Sequence, residues 1–290
     1  MDKLVTEWSS FPYLETANEL CDYLQGRPRG HDGYYHYTSL DAINGILENG
    51  FCISSVDRFN DHAEKEAFEG CEKRYYCLCF STGVEENLAL WYLYAGVGGR
   101  GGRLQFTYKS ISKLLRAPFE LVEYNYSKHK AVRKIATLTE ENASFRLGDV
   151  VYADPSKKNR EFMAMKYNTM TNRETFPIRE WEWFKESNKG FYKSQVWYYE
   201  KETRLMIELS SDLYKLIDPN KSYAVILRIP EEVKRYTKVR FAPNIKSLED
   251  EGIQKYSELM KLAQRKTALQ LSEHKDTVDI DPCRNCKKYR

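Results

Sequence analysis

The sequence predicts an α+β fold, with a mixed, mostly antiparallel sheet core interrupted by a helical insertion. Three observations carry this. Short runs rich in Tyr, Phe, Val and Ile recur on both sides of the middle of the chain, bounded by turn residues. Apolar residues at helical spacing fall in short segments between those runs. From roughly residue 128 to 192 the spacing turns helical and Lys and Arg outnumber acids.

The elements follow in order. Pro12 to Gln25 sets Leu14, Ala17, Leu20, Cys21 and Leu24 at helical spacing, which makes residues 1–33 an N-terminal helical extension. Tyr34 to Thr38 is a strand. Ser39 is the N-cap of a helix over Leu40 to Asn49, and Gly50 ends it in left-handed geometry. Phe51 to Ser54 is a second strand. The turn Arg58-Phe59-Asn60-Asp61 opens a helix over about 62–70, with Asp61 as its cap candidate. Arg74 to Ser81 alternates so little that it reads as a strand buried on both faces. Asn87 to Ala95 is a short aromatic helix, and Arg103 to Tyr108 and Val122 to Tyr126 are strands. After the insertion, sheet character returns at 196–209, Tyr223 to Ile229 and Lys238 to Phe241. Residues 34–250 therefore count as one domain. An amphipathic helix over Ser257 to Ser272 and a polar tail fill 251–290.

Hydrophobic residues make 42% of the 290-residue chain and charged residues 30%, enough for a folded core. A net charge of +3 is too small to announce nucleic acid. No run is long enough to cross a bilayer, and Met1 to Trp8 lacks the apolar stretch of a secretion signal. The seven cysteines, at 21, 52, 71, 77, 79, 283 and 286, fit reduced thiols, so the expectation is a cytoplasmic protein without membrane contact. Aromatics reach 14%, with 22 tyrosines; Tyr joins a stacking surface to a hydroxyl, which suits a site for rings or sugars and equally a Tyr-rich core.

Several motifs can be weighed by context. Gly96-Val97-Gly98-Gly99-Arg100-Gly101 spells G-x-G-x-x-G, yet a helix precedes it and a strand follows, the reverse of a dinucleotide site. Cys283 and Cys286 have zinc-ligand spacing, but only His274 lies near them in sequence. Cys77 and Cys79 share one side of a strand in an apolar run, which is core-like. Phosphate-loop, zinc-protease and serine-hydrolase motifs are missing from the sequence.

The most informative stretch is Trp197-Tyr198-Tyr199-Glu200-Lys201-Glu202-Thr203-Arg204. In a strand, Glu200, Glu202 and Arg204 share a face. Two readings stand: an edge strand with a charged outer face, or a face kept for chemistry. His36, between two tyrosines, reads as a core histidine or a functional one. Trp91 and Tyr94 read as an aromatic shelf or as packing under the sheet.

Taken in order, His36-Tyr37-Thr38-Ser39, Leu47-Glu48-Asn49-Gly50, Phe59 to Glu64, Cys79-Phe80-Ser81, Leu90 to Ala95, Gly102 to Phe106 and Lys193 to Arg204 resemble a bacterial family catalogued as domain of unknown function 2971, over about 34–245. Its strand–helix–strand opening and late E-x-E strand are similar to the ADP-ribosyltransferase superfamily. That resemblance implies an ADP-ribosyltransferase-like sheet core, NAD as the substrate and no metal. It implies that His36 holds the adenine-side ribose, with Tyr37, Thr38 and Arg204 also binding NAD. Trp91 or Tyr94 would stack on the nicotinamide. Glu202 would hold the 2′-hydroxyl of the nicotinamide ribose and Glu200 would face the acceptor. Cleavage of the nicotinamide bond passes through an oxocarbenium-like state, which a placed carboxylate stabilises. The basic 128–192 stretch would meet a nucleic-acid or protein acceptor. Two alternatives stay open: a non-catalytic nucleotide, nucleic-acid or protein binding module, and a metal-dependent nuclease or hydrolase built on Asp61, Glu64, Glu200 and Glu202.

Overall fold

The computed structural model describes residues 33–82, 85–153, 161–165, 173–177, 189–265 and 268–276. The helix expected at 12–25 and the Cys283/Cys286 pair lie outside them. The architecture is mixed α+β with mostly antiparallel sheets. Along the chain come β1 (Tyr34–Ser39), β2 (Phe51–Ser54), β3 (Tyr75–Ser81), β4 (Gly101–Phe106) and β5 (Phe119–Asn125). Then follow β6 (Lys130–Leu138), β7 (Ala143–Asp149), β8 (Val151–Ala153), β9 (Glu161–Met165) and β10 (Arg173–Pro177). The last strands are β11 (Tyr192–Ser194), β12 (Glu202–Leu209), β13 (Tyr223–Leu227), β14 (Lys238–Phe241) and β15 (Leu269–Gln270).

The chain's contacts divide it into two interleaved units. Of the described residues, the first holds those within 53–79 and 119–225, and the second those within 33–52, 80–118 and 226–276.

In the second unit the strand order is β15-β14-β4-β1, and Ser81 at the end of β3 sits opposite Tyr35. β1 pairs antiparallel with β4 from Tyr34↔Phe106 to Ser39↔Gly101. Ser39 caps the helix Leu40–Asn49 as predicted: its side chain accepts from the Ala42 amide at 3.2 Å. Leu40, Ile43, Ile46 and Leu47 form the buried face of that helix. Gly50 ends it at φ 95°, with ψ at 174° instead of the helical left-handed value, and sends the chain straight into β2. The aromatic helix is Leu88–Tyr94, capped by the Asn87 side chain on the amides of Ala89 and Leu90. The amphipathic helix near the C-terminus is shorter than predicted, Ser257–Ala263.

In the first unit β12 lies between β3 and β7, and a separate sheet has the order β2-β13-β5-β6. Val56, Phe68, Cys77, Phe191 and Met206 form a buried cluster here. The helical reading of 128–192 is corrected: its described part is strand, namely β6, β7, the parallel pair β8/β11 and the antiparallel pair β9/β10. The physical reason is visible in β6. Two register shifts against β5, at Leu121/Val122 and Glu123/Tyr124, break the two-residue alternation. Lys130 to Lys134 are moreover all exposed, so no apolar face marks the strand. Among the described residues no helix is long and apolar enough to cross a membrane.

Candidate functional site

The first unit brings together five charged side chains. β12 opens at Glu202, and alternation sets Glu202 and Arg204 on one face. Arg204 donates to the same Glu202 oxygen, Oε2, through Nη2 at 2.6 Å and Nε at 3.0 Å. Its Nη1 donates to the Gly190 carbonyl at 2.8 Å and to Glu64. Lys193, at the middle of β11, reaches Glu200 at 2.5 Å, Glu64 at 3.6 Å and Glu202 at 3.7 Å. The Phe59 ring lies 5.4 Å from the Arg204 guanidinium and the Trp197 ring 4.8 Å from the Lys193 ammonium.

All five groups are buried. Removing that many charges from water is costly, and the arrangement persists only because each has a close partner. Burial by itself would raise the Glu202 carboxyl, but the Arg204 and Lys193 charges outweigh it and hold it below the usual range. Burial works the other way on Lys193 and Arg204, and the surrounding glutamates overcome it, Glu202 foremost, so both stay protonated. Beneath them, Cys77 and Cys79 sit with Sγ atoms 3.6 Å apart. The contact with Cys77, then burial, pushes the Cys79 thiol up, which leaves it a protonated, weakly nucleophilic group.

Two expectations change here. Glu200, Glu202 and Arg204 do not share a strand face. Glu200 ends a 3-10 helix, Gln195–Glu200, and Lys201 then adopts left-handed φ 49°, ψ 53° before the strand begins. Glu200 consequently turns inward to Lys193 and is only 1% exposed, so it does not face an acceptor. The edge-strand reading also fails, because β12 is flanked on both sides. Two members of the cluster escaped the sequence reading of the E-x-E strand. Lys193 carries no role there, and Glu64 enters only in the metal alternative. Their presence in the same ordered motif series was the one available signal. The three glutamates do converge, but on two cationic side chains, and among the described residues no set of His, Cys, Asp or Glu is arranged to hold a metal.

The second unit holds His36, Tyr37, Thr38, Trp91 and Tyr94, and sets the first two on opposite faces of β1. His36 is half-buried and packs edge-on against Phe51 at 5.3 Å and Phe80 at 6.1 Å. Tyr37, next along β1, faces the other way and packs on Trp91 at 4.6 Å. Its hydroxyl accepts from Arg103 at 2.9 Å and from the Asn87 amide at 3.3 Å. Trp91 is fully buried and donates its indole N–H to Glu86 at 3.0 Å, so its ring offers no face to a nicotinamide. Glu86 also accepts from Ser272, the Glu273 amide and Arg240; burial would raise it, but these bonds together hold it low. Thr38 and Tyr94 are half-buried. His36 and the Trp91 ring packed on Tyr37 thus lie on opposite sides of β1. Glu202 belongs to the other unit.

No protein-family model matches the chain, and no curated protein or solved structure matches it either, so the resemblance rests on the motif series alone.

Proposed function

We propose that the protein is an ADP-ribosyltransferase-like enzyme that cleaves the nicotinamide bond of NAD and passes ADP-ribose to a macromolecule or to water. The observation that carries the reading is the state of Glu202. It opens β12 directly after the turn at Lys201, stays ionised, and keeps 10% of its side chain exposed where Glu200 keeps 2%. Glu202 is the carboxylate that meets the ribose. Arg204 and Lys193 fix its orientation and its charge. The five groups contribute three carboxylates against two cations, and that negative surplus favours a ribosyl group gaining positive charge in the transition state. His36 and Trp91 take no part in this version of the site.

The test is incubation of the purified full chain with NAD, with free nicotinamide followed by chromatography, in parallel with and without a metal chelator. Nicotinamide release that persists under chelation supports the reading; release abolished by chelation, or none at all, contradicts it.

A second reading has a specific observation behind it. Glu202 is already satisfied by Arg204 and Lys193, as a structural network in a non-catalytic binding module would be. Under it, wild-type protein leaves NAD intact, and substitutions in the network change stability alone.

A further inference from the structure

The β5–β6 hairpin of the first unit carries positive charge that the Glu202 network does not use. β6 is the outer strand of its sheet. The register shift at Glu123/Tyr124 leaves Val132 without a counterpart on β5 and tips it outward, 61% exposed. Tyr124, on the neighbouring strand β5, and Tyr126, at the start of the hairpin turn, pack edge to face at 4.9 Å. The Arg58 guanidinium lies 3.8 Å over the Tyr126 ring, and the Tyr126 hydroxyl donates to the Tyr223 carbonyl at 3.0 Å. The platform is thus pinned from two sides. Arg58, Glu123, Tyr124, Tyr126, Val132 and Lys221 are among the residues lining an open pocket of about 320 Å³. That falls at the small end of the roughly 300–1,000 Å³ usual for ligand sites.

The charges around this pocket are unequal. Glu123 is shared by Lys221 at 3.0 Å and Arg133 at 3.5 Å. Among the described residues, Lys128 and Lys130 pair with no carboxylate. The pocket lining itself holds two cations, Arg58 and Lys221, and one acid, Glu123, while Lys128, Lys130 and Arg133 lie on the adjoining hairpin. A basic outer strand guards against unwanted strand pairing, and that accounts for Lys130 and Arg133. It does not account for Arg58 placed over the Tyr126 ring away from that strand, or for Lys128 at the turn.

We propose that this hairpin binds single-stranded nucleic acid, with bases stacking on the Arg58–Tyr126 and Tyr124 platform and phosphates meeting Lys128, Lys130 and Lys221. Guanidinium planes and tyrosine rings both stack on unpaired bases, and flexible surface lysines suit a phosphate chain. A duplex hides its base faces and gains only the phosphate contacts. The inference deepens the transferase reading by naming its acceptor class; it rests on that reading for transfer and not for binding.

The experiment is fluorescence anisotropy of labelled single-stranded and duplex oligonucleotides with the full chain, without NAD, across a salt series. Wild-type protein should bind the single strand more tightly than the duplex, with affinity falling as salt rises. The exposed pair K128S/K130S, which cannot disturb a core, should weaken binding about tenfold and flatten the salt slope by roughly one to two phosphate contacts. R58A should weaken the single strand and leave the duplex unchanged. Absence of salt-dependent binding overturns the proposal, as does binding that both variants retain. Capture by anionic lipid vesicles in place of oligonucleotides also overturns it. Because NAD is left out, failure here and failure of nicotinamide release are separate results.

Discussion

Arg204 closes on the carboxylate two residues before it on the same strand, with Nη2 at 2.6 Å and Nε at 3.0 Å from Glu202 Oε2. Its other arm reaches Glu64, in the helix His62–Glu66, 140 positions away in the chain. One guanidinium therefore ties the opening of β12 to an early helix of the same unit. Replacing it with an apolar side chain strands two buried carboxylates, and breaking a buried pair costs about 3–5 kcal/mol. Arg204→Met should lower the urea midpoint accordingly, and Arg204→Lys should recover only part, since an ammonium cannot reproduce the forked geometry. A midpoint unchanged in Arg204→Met would mean the network contributes nothing to the fold.

The same network sets an acid limit. Folding holds the Glu202 carboxyl below its ordinary value of 4.5. A depressed carboxyl stabilises the fold above its unfolded value, and the contribution disappears as pH falls through the folded one. Wild-type stability should therefore fall on acidification below about pH 4.5 more steeply than that of Glu202→Gln, which has no such proton to take up. Urea titrations of both proteins at neutral pH and at successive acidic values check this; parallel curves would contradict it.

Gly101 gives a sharper test of the second unit. A methyl group at that position would meet the carbonyl oxygens of Thr38 and Ala95, both backbone atoms that cannot swing aside. Gly101→Ala should cost about 1–3 kcal/mol, the usual range for overpacking. Gly45→Ala is the control, since nothing lies within 4 Å of its added carbon and helix propensity favours it. Thermal unfolding of the two variants should move in opposite directions.

Much of the fold was legible where local chemistry agrees with tertiary structure. Ser39 caps its helix, Gly50 ends it, and β1, β2, β3, β13 and β14 fall at or within about two residues of their predicted bounds. Legibility failed where the backbone broke periodicity. The left-handed Lys201 hid the change from 3-10 helix to strand, so three charges two apart looked like one face. The two bulges opposite β5 turned a ribbon into an apparent helix. The candidate site was legible as residue types and not as partners. Glu202 and Arg204 announced each other through strand spacing, whereas the Lys193–Glu64 contact joins residues 129 positions apart and has no local signature. Tyr37 and His36 show the same limit, since adjacency in sequence placed them on opposite faces.

The most direct measurement is nicotinamide released from NAD per folded molecule by the wild type, Glu202→Gln and Glu200→Gln, with folding of each confirmed by circular dichroism. The account predicts release by the wild type, loss of at least about a hundredfold in Glu202→Gln, and a much smaller loss in Glu200→Gln, whose carboxylate only holds Lys193. Equal activity in wild type and Glu202→Gln, or a wild type that leaves NAD intact, would contradict it.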